Sequence, residues 1–138
     1  MKTSKLMVAL LGAAMAWHVS AHEVLENKGA GQEQRAVLMQ KALPEMAGKQ
    51  GTLLTVRYAP GQASTPHEHP GSVFAYVLEG TVTSQLEGEA PVTYKAGQSW
   101  YEPPHAGHIV SKNASQSAPA TLVVFLITGE GEAIAKPR

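Results

Sequence analysis

The chain has 138 residues, room for one domain, with 11 basic and 11 acidic residues and a formal net charge of zero. That balance argues against nucleic acid as a partner. Cysteine is absent, which excludes disulfides, thiolate metal ligands and thiol chemistry, and with no aspartate every side-chain carboxylate is a glutamate.

The first segment reads as a secretory signal. Lys2 and Lys5 form a basic start, Leu6 to Trp17 is an apolar run, and Val19-Ser20-Ala21 supplies a small-x-small cleavage pattern. A membrane span needs about 20 apolar residues, so this run is too short for one. Cleavage after Ala21 removes residues 1–21, leaves no membrane segment and directs the protein to the periplasm or the medium. Residues 22–34 are polar and read as a flexible lead-in to a domain at 35–129, and the charged, glycine-containing stretch 130–138 reads as a tail that frays.

Within the domain helical periodicity is missing. Strands are predicted at Ala36–Leu43, Thr52–Tyr58, Val73–Leu78, Thr81–Leu86, Val92–Tyr94, Ser99–Glu102, His108–Ser111 and Thr121–Thr128. The breaks between them are explicit: Pro60-Gly61, Pro70-Gly71, Glu79-Gly80, Gly88, Ala96-Gly97 and Pro103-Pro104. Short strands in this rhythm mark an all-β sandwich or barrel. Leu122 to Ile127 is continuously apolar, the pattern of a strand buried on both faces.

The chemistry concentrates in two places. His67-Glu68-His69 carries imidazoles at i and i+2, which on a strand point to one face. Pro103-Pro104-His105-Ala106-Gly107-His108 brings further imidazoles from a distant strand. Nitrogen ligands meeting from separate strands are how an all-β scaffold holds a single metal ion.

These stretches resemble the two motifs of the cupin superfamily, specifically its small single-domain members. Gly61, His67, His69 and Gly80 fall in register with the first motif, and Gly97, Pro103 and His108 with the second, where His105 stands in place of a glycine. The resemblance covers about Thr52 to Thr128 and implies a double-stranded β-helix barrel of the jelly-roll type with a metal inside. The family's glutamate ligand aligns with Val73, so the usual set of three histidines and one glutamate is incomplete. His67, His69 and His108 remain as a three-histidine facial site for one divalent transition metal: iron, manganese, nickel, zinc or copper.

Glu102, just before the diproline, is the candidate catalytic residue and the replacement carboxylate: a fourth ligand, a partner to an imidazole N–H, or the general base. Gln85 is a weaker candidate for the same gap. Tyr76 and Tyr101 offer phenols but read mainly as packing, Phe74 and Trp100 read as core, His105 as an exposed residue at the barrel mouth, and Glu68 as pointing away from the ligands. The resulting expectation is an exported metal-binding cupin, a mononuclear dioxygenase acting on a small organic molecule. A metal-dependent isomerase or lyase and a non-catalytic binding or sensing cupin are the alternatives. A homodimer is expected from the family, with the apolar Ala36–Leu43 strand as its contact edge.

Overall fold

The computed structural model describes residues 33–138; the signal expected at 1–21, and the lead-in as far as residue 32, lie outside the described residues. The strands are β1 (Gln34–Ala42), β2 (Lys49–Tyr58), β3 (His67–Glu68), β4 (Ser72–Glu79), β5 (Thr81–Leu86), β6 (Val92–Lys95), β7 (Ser99–Glu102), β8 (Gly107–Asn113), β9 (Ala120–Gly129) and β10 (Lys136–Pro137). They form two five-stranded sheets, one ordered β1-β2-β9-β4-β7 and the other β10-β3-β8-β5-β6. All the pairings are antiparallel. The chain crosses repeatedly from one sheet to the other, so residues far apart in sequence face each other across the interior.

All eight predicted strands are present, with β5 and β7 at the predicted ends, and two are added. Both additions, β3 and β10, have two residues, too few to show a period; β3 follows Pro66 and β10 contains Pro137. They pair with each other, Lys136 opposite Glu68 and Pro137 opposite His67. The segment expected to fray is therefore held by backbone pairing that its composition does not reveal.

Alternation decides the core. In β4, Val73, Ala75 and Val77 are buried while Phe74, Tyr76 and Leu78 are exposed. In β9, Leu122, Val124 and Leu126 turn inward against Leu54, Val56 and Tyr58 of β2. Burying each such aliphatic side chain contributes about 1.5–3 kcal/mol. Two expectations change here. β9 is buried on one face only, with Val123, Phe125 and Ile127 half-buried on the outer surface. Phe74 belongs to that outer face, 48% exposed and tilted against Tyr101, and is not core.

The two inner faces differ in kind. The sheet containing β4 and β9 presents mostly aliphatic side chains, whereas the opposite sheet turns His67, Ser84, His108, Ser111 and Asn113 inward beside Val82 and Leu86. A polar wall facing an apolar one concentrates the chemistry of the barrel on β3, β5 and β8.

The turn into β4 depends on Gly71, where an added Cβ would overlap the Ile127 carbonyl oxygen of β9. Backbone cannot move aside as a flexible side chain does. Gly71→Ala is expected to lower stability by about 3 kcal/mol, at the upper end of overpacking effects, read as a reduced midpoint in urea unfolding.

Candidate metal centre

Strand register brings the first two imidazoles together. His67 of β3 sits directly opposite His108 of β8, so both side chains project from one face of the same sheet. His69, two residues on, follows to that face, and one ligand nitrogen from each of the three histidines lies within 4.8 Å of the others. The ring centroids of His67 are 4.9 Å from those of His69 and 5.1 Å from those of His108.

In each ring the nitrogen turned away from the cluster is held. His67 Nδ1 donates to the Thr65 carbonyl at 2.8 Å, and His69 Nδ1 donates to the Ile134 carbonyl. His108 Nε2 bonds Ser84 Oγ at 2.8 Å. Outer hydrogen bonds of this kind fix ring orientation and tautomer, leaving the other nitrogen free for a metal. Burial lowers the His67 pKa to about 4 against the Thr65 hydrogen bond, and it lowers that of His69. Both rings are neutral at neutral pH, the state in which imidazole ligates.

Glu102 of β7 reaches the cluster from the other sheet. Its Oε2 lies 3.7 Å from His69 Nε2 and its Oε1 lies 3.3 Å from His108 Nδ1. Trp100 Nε1 donates to Oε1 at 2.9 Å, which orients the carboxylate. Burial pushes the Glu102 carboxyl up, but the adjacent His108 and His69 imidazoles and the Trp100 N–H outweigh it, leaving the group below the usual carboxylate range. Val73, where the family places its glutamate, is directly across from Glu102 on β4. Paired residues on adjacent strands project to the same side, so Glu102 stands one strand over from the family's glutamate position.

The donor atoms fit a divalent transition metal. Glu102 Oε2 and His108 Nδ1 are buried side-chain atoms with no hydrogen-bond partner among the described residues. Each such orphan costs about 1–3 kcal/mol if nothing satisfies it. Three imidazole nitrogens within 4.8 Å of one another, with the Glu102 carboxylate beside His108 and His69, offer nitrogen and oxygen donors of the kind these cations take. The cavity beside them encloses about 50 Å³ and is walled by Leu54, Val73, Ala75, Leu122, Val124 and Leu126.

The remaining candidates separate. Gln85 bonds the Glu89 carbonyl away from the cavity, so β5 presents Ser84 inward instead. Tyr76 and Tyr101 are exposed on the outer sheet face, and neither phenol reaches the site. His105 is exposed and has a φ of 62°, the left-handed conformation that explains the family's glycine there. Glu68 points to Arg138 and His105.

Sequence reasoning missed Tyr58, Ser84 and Ile134. Tyr58 is buried in the cavity wall, bonded to Ser64 Oγ at 2.7 Å and Ser111 Oγ at 2.8 Å, and burial pushes its phenol pKa up against those bonds. Inward alternation on β2 and β5 marks Tyr58 and Ser84; for Ile134 no local signal exists.

The buried, neutral His67 makes stability depend on pH in a definite direction. Its folded pKa of about 4 lies below the unfolded value of 6.5, so the unfolded chain binds more protons between these limits. Stability is fully present above pH 6.5 and falls as pH drops toward 4, by up to about 3 kcal/mol from this group. Glu102, with its folded pKa also depressed, adds loss in the same direction at lower pH. Denaturant midpoints of the metal-free protein at pH 7.5 and 4.5 check this, and His67→Gln is expected to flatten the difference.

The comparisons with known proteins agree with this architecture. No curated protein matches the sequence. Among solved structures, an uncharacterized conserved protein with a double-stranded β-helix domain from Klebsiella pneumoniae is similar at a TM-score of 0.61 and 21% identity, over 78% of this chain and 88% of that one. The DMSP lyase DddQ from Ruegeria pomeroyi is similar at 0.62 and 18%, over 77% of this chain and 51% of that one, so this chain spans about half the lyase. An oxalate oxidase is similar at 0.51 and 21%, over 58% of this chain and 46% of that one. At these identities the likeness is one of fold. The cupin-domain profile, by contrast, matches the sequence itself across residues 54–126, from β2 to β9 and through both histidine motifs. With the all-β barrel and its converging histidines, that match places the chain in the cupin family.

Proposed function

We propose that this protein is an exported metal-dependent cupin enzyme, a mononuclear dioxygenase acting on a small organic molecule. The observation that carries the reading is the convergence of three imidazole nitrogens and the unpartnered Glu102 Oε2 at the wall of an apolar cavity. His67, His69 and His108 would hold the metal, with Glu102 beside them. A divalent transition metal bound there supplies a Lewis acid and, as iron, manganese or copper, a redox centre for O2.

The chain's own residues supply the rest. Thr65, Ile134 and Ser84 hold the three rings in orientation. Glu102 is ionised and takes a proton from the substrate at Oε2, while Trp100 keeps Oε1 in place. The aliphatic walls exclude water and strengthen every charge interaction inside. The small, apolar-walled cavity beside the ligands favours a small molecule or the small end of a larger one.

A second reading, a lyase or isomerase with a non-redox metal, is favoured by the position of Glu102: an ionised base beside a Lewis acid suffices for proton abstraction. Export rests on the segment ending at Ala21, and the mass of the mature protein tests it. A homodimer is part of this proposal; β1 is an edge strand whose Leu38 and Met39 are exposed, and light scattering at micromolar concentration tests it.

The deciding experiment is metal analysis of protein purified from the periplasm before contact with chelator, followed by oxygen uptake with small organic substrates. Iron, manganese or copper near one per chain with oxygen consumption supports the dioxygenase. Zinc with oxygen-independent turnover supports the lyase or isomerase, and tight ligand binding without turnover supports a sensor. Saturating metal at 100 times its dissociation constant is expected to stabilise the fold by about 2.7 kcal/mol. His67→Ala, His69→Ala and His108→Ala should each lose most of that gain, whereas His105→Ala should keep it. Glu102→Gln is expected to retain metal and lose turnover at least 100-fold, within the usual range for a missing general base; loss of metal affinity instead would make Glu102 a ligand.

A further inference from the structure

His69 differs from its two partners in how it is held. His67 and His108 lie on paired strands, whereas β3 ends at Glu68, so His69 stands beyond the register that orients the others. Its ring is oriented instead by the Nδ1 bond to the Ile134 carbonyl, 65 residues away in sequence. Ile134 packs against the core and lines the cavity. The residues after it continue as β10 along the outer edge of β3, and the Arg138 N–H donates to the Pro66 carbonyl at 3.2 Å. The Arg138 guanidinium pairs with Glu87 in the turn after β5, lies 3.7 Å from Glu68 of β3, and covers Gly107 beside His108, where a Cβ would collide with it.

We propose that residues 134–138 act as a strap that positions His69, fastened by Arg138 and holding the ring as the Nδ1–H tautomer so that Nε2 faces the cluster. A neutral imidazole without a partner favours the Nε2–H form in water, and the hydrogen bond at one nitrogen decides which form is kept. Ile134 makes the carbonyl available at the right place because its side chain is anchored in the core. Arg138 keeps the strand docked by joining three parts of the ligand-bearing sheet: β3, the turn after β5, and the start of β8. Released from the strap, His69 would lose both its tautomer and its direction while His67 and His108 stayed in register.

The role in metal affinity rests on the metal site proposed above; the effect on the His69 tautomer does not. Two measurements therefore accompany each other: two-bond 1H–15N spectra of the metal-free protein, which report the His69 tautomer, and Zn(II) affinity by competition with a chromophoric chelator. The variants are the full chain, a chain lacking residues 133–138, and Arg138→Glu, which faces Glu68 and Glu87 with like charge. We expect the Nδ1–H form of His69 in the full chain and the Nε2–H form in the shortened one. Zinc affinity should fall 10–100-fold, the usual effect of removing a hydrogen bond behind a ligating histidine. Arg138→Glu should shift both readouts the same way, and it decides the matter if the shortened chain does not fold; Arg138→Lys should restore part of the effect. If the full chain takes up no zinc but the tautomer still switches, the metal reading fails and the strap stands. An unchanged tautomer in both variants overturns the strap, whatever zinc does.

Discussion

A carboxylate and three imidazoles buried inside an apolar barrel impose the constraint on which the rest of this structure depends. Glu102 Oε2 and His108 Nδ1 have no hydrogen-bond partner among the described residues, yet both are enclosed. In a low-dielectric interior such atoms are costly to the fold unless something satisfies them. Around it the barrel is fully conventional: aliphatic residues at alternate positions of β2, β4 and β9 bury themselves against one another and need no further explanation.

The division of labour between the sheets follows from that constraint. If the histidines and their supporting serines were spread over both inner faces, the aliphatic core would be interrupted everywhere. Gathering them on β3, β5 and β8 leaves the facing sheet free to supply a mostly aliphatic wall. Glu102 is the exception, a charge rising from the apolar sheet at its β7 edge. It lies opposite Val73, and adjacent strands present their paired residues to the same side, so Glu102 faces the interior next to the position where the family places its glutamate. Register, and not sequence neighbourhood, sets which side chains meet.

Membership of the cupin family does not by itself select a reaction. Lyase and oxidase structures share this fold at low identity, and the same barrel hosts redox and non-redox chemistry. What distinguishes this chain is local: a small cavity, three clustered imidazoles, an ionised glutamate held by Trp100, and a returning chain segment hydrogen-bonded to His69. Each of these features depends on a different element of the barrel.

By itself the sequence determined the all-β class, the eight longer strands and the two histidine motifs, because alternation, turn residues and motif spacing are all local patterns. It also marked Glu102 as the candidate carboxylate from its place before the diproline. Other features were legible only in three dimensions. The outward turn of Phe74 and the half-buried outer face of β9 depend on whether a second layer covers that sheet, which no stretch of β4 or β9 encodes. The contacts of Ser84 with His108 and of Ile134 with His69 join residues 24 and 65 positions apart. The short strands β3 and β10 exist because distant segments pair with them, β3 between β8 and β10 and β10 along β3. Tertiary structure alone decided these points, since a hydrogen bond or a cross-strand pair belongs to two segments at once and leaves no period in either.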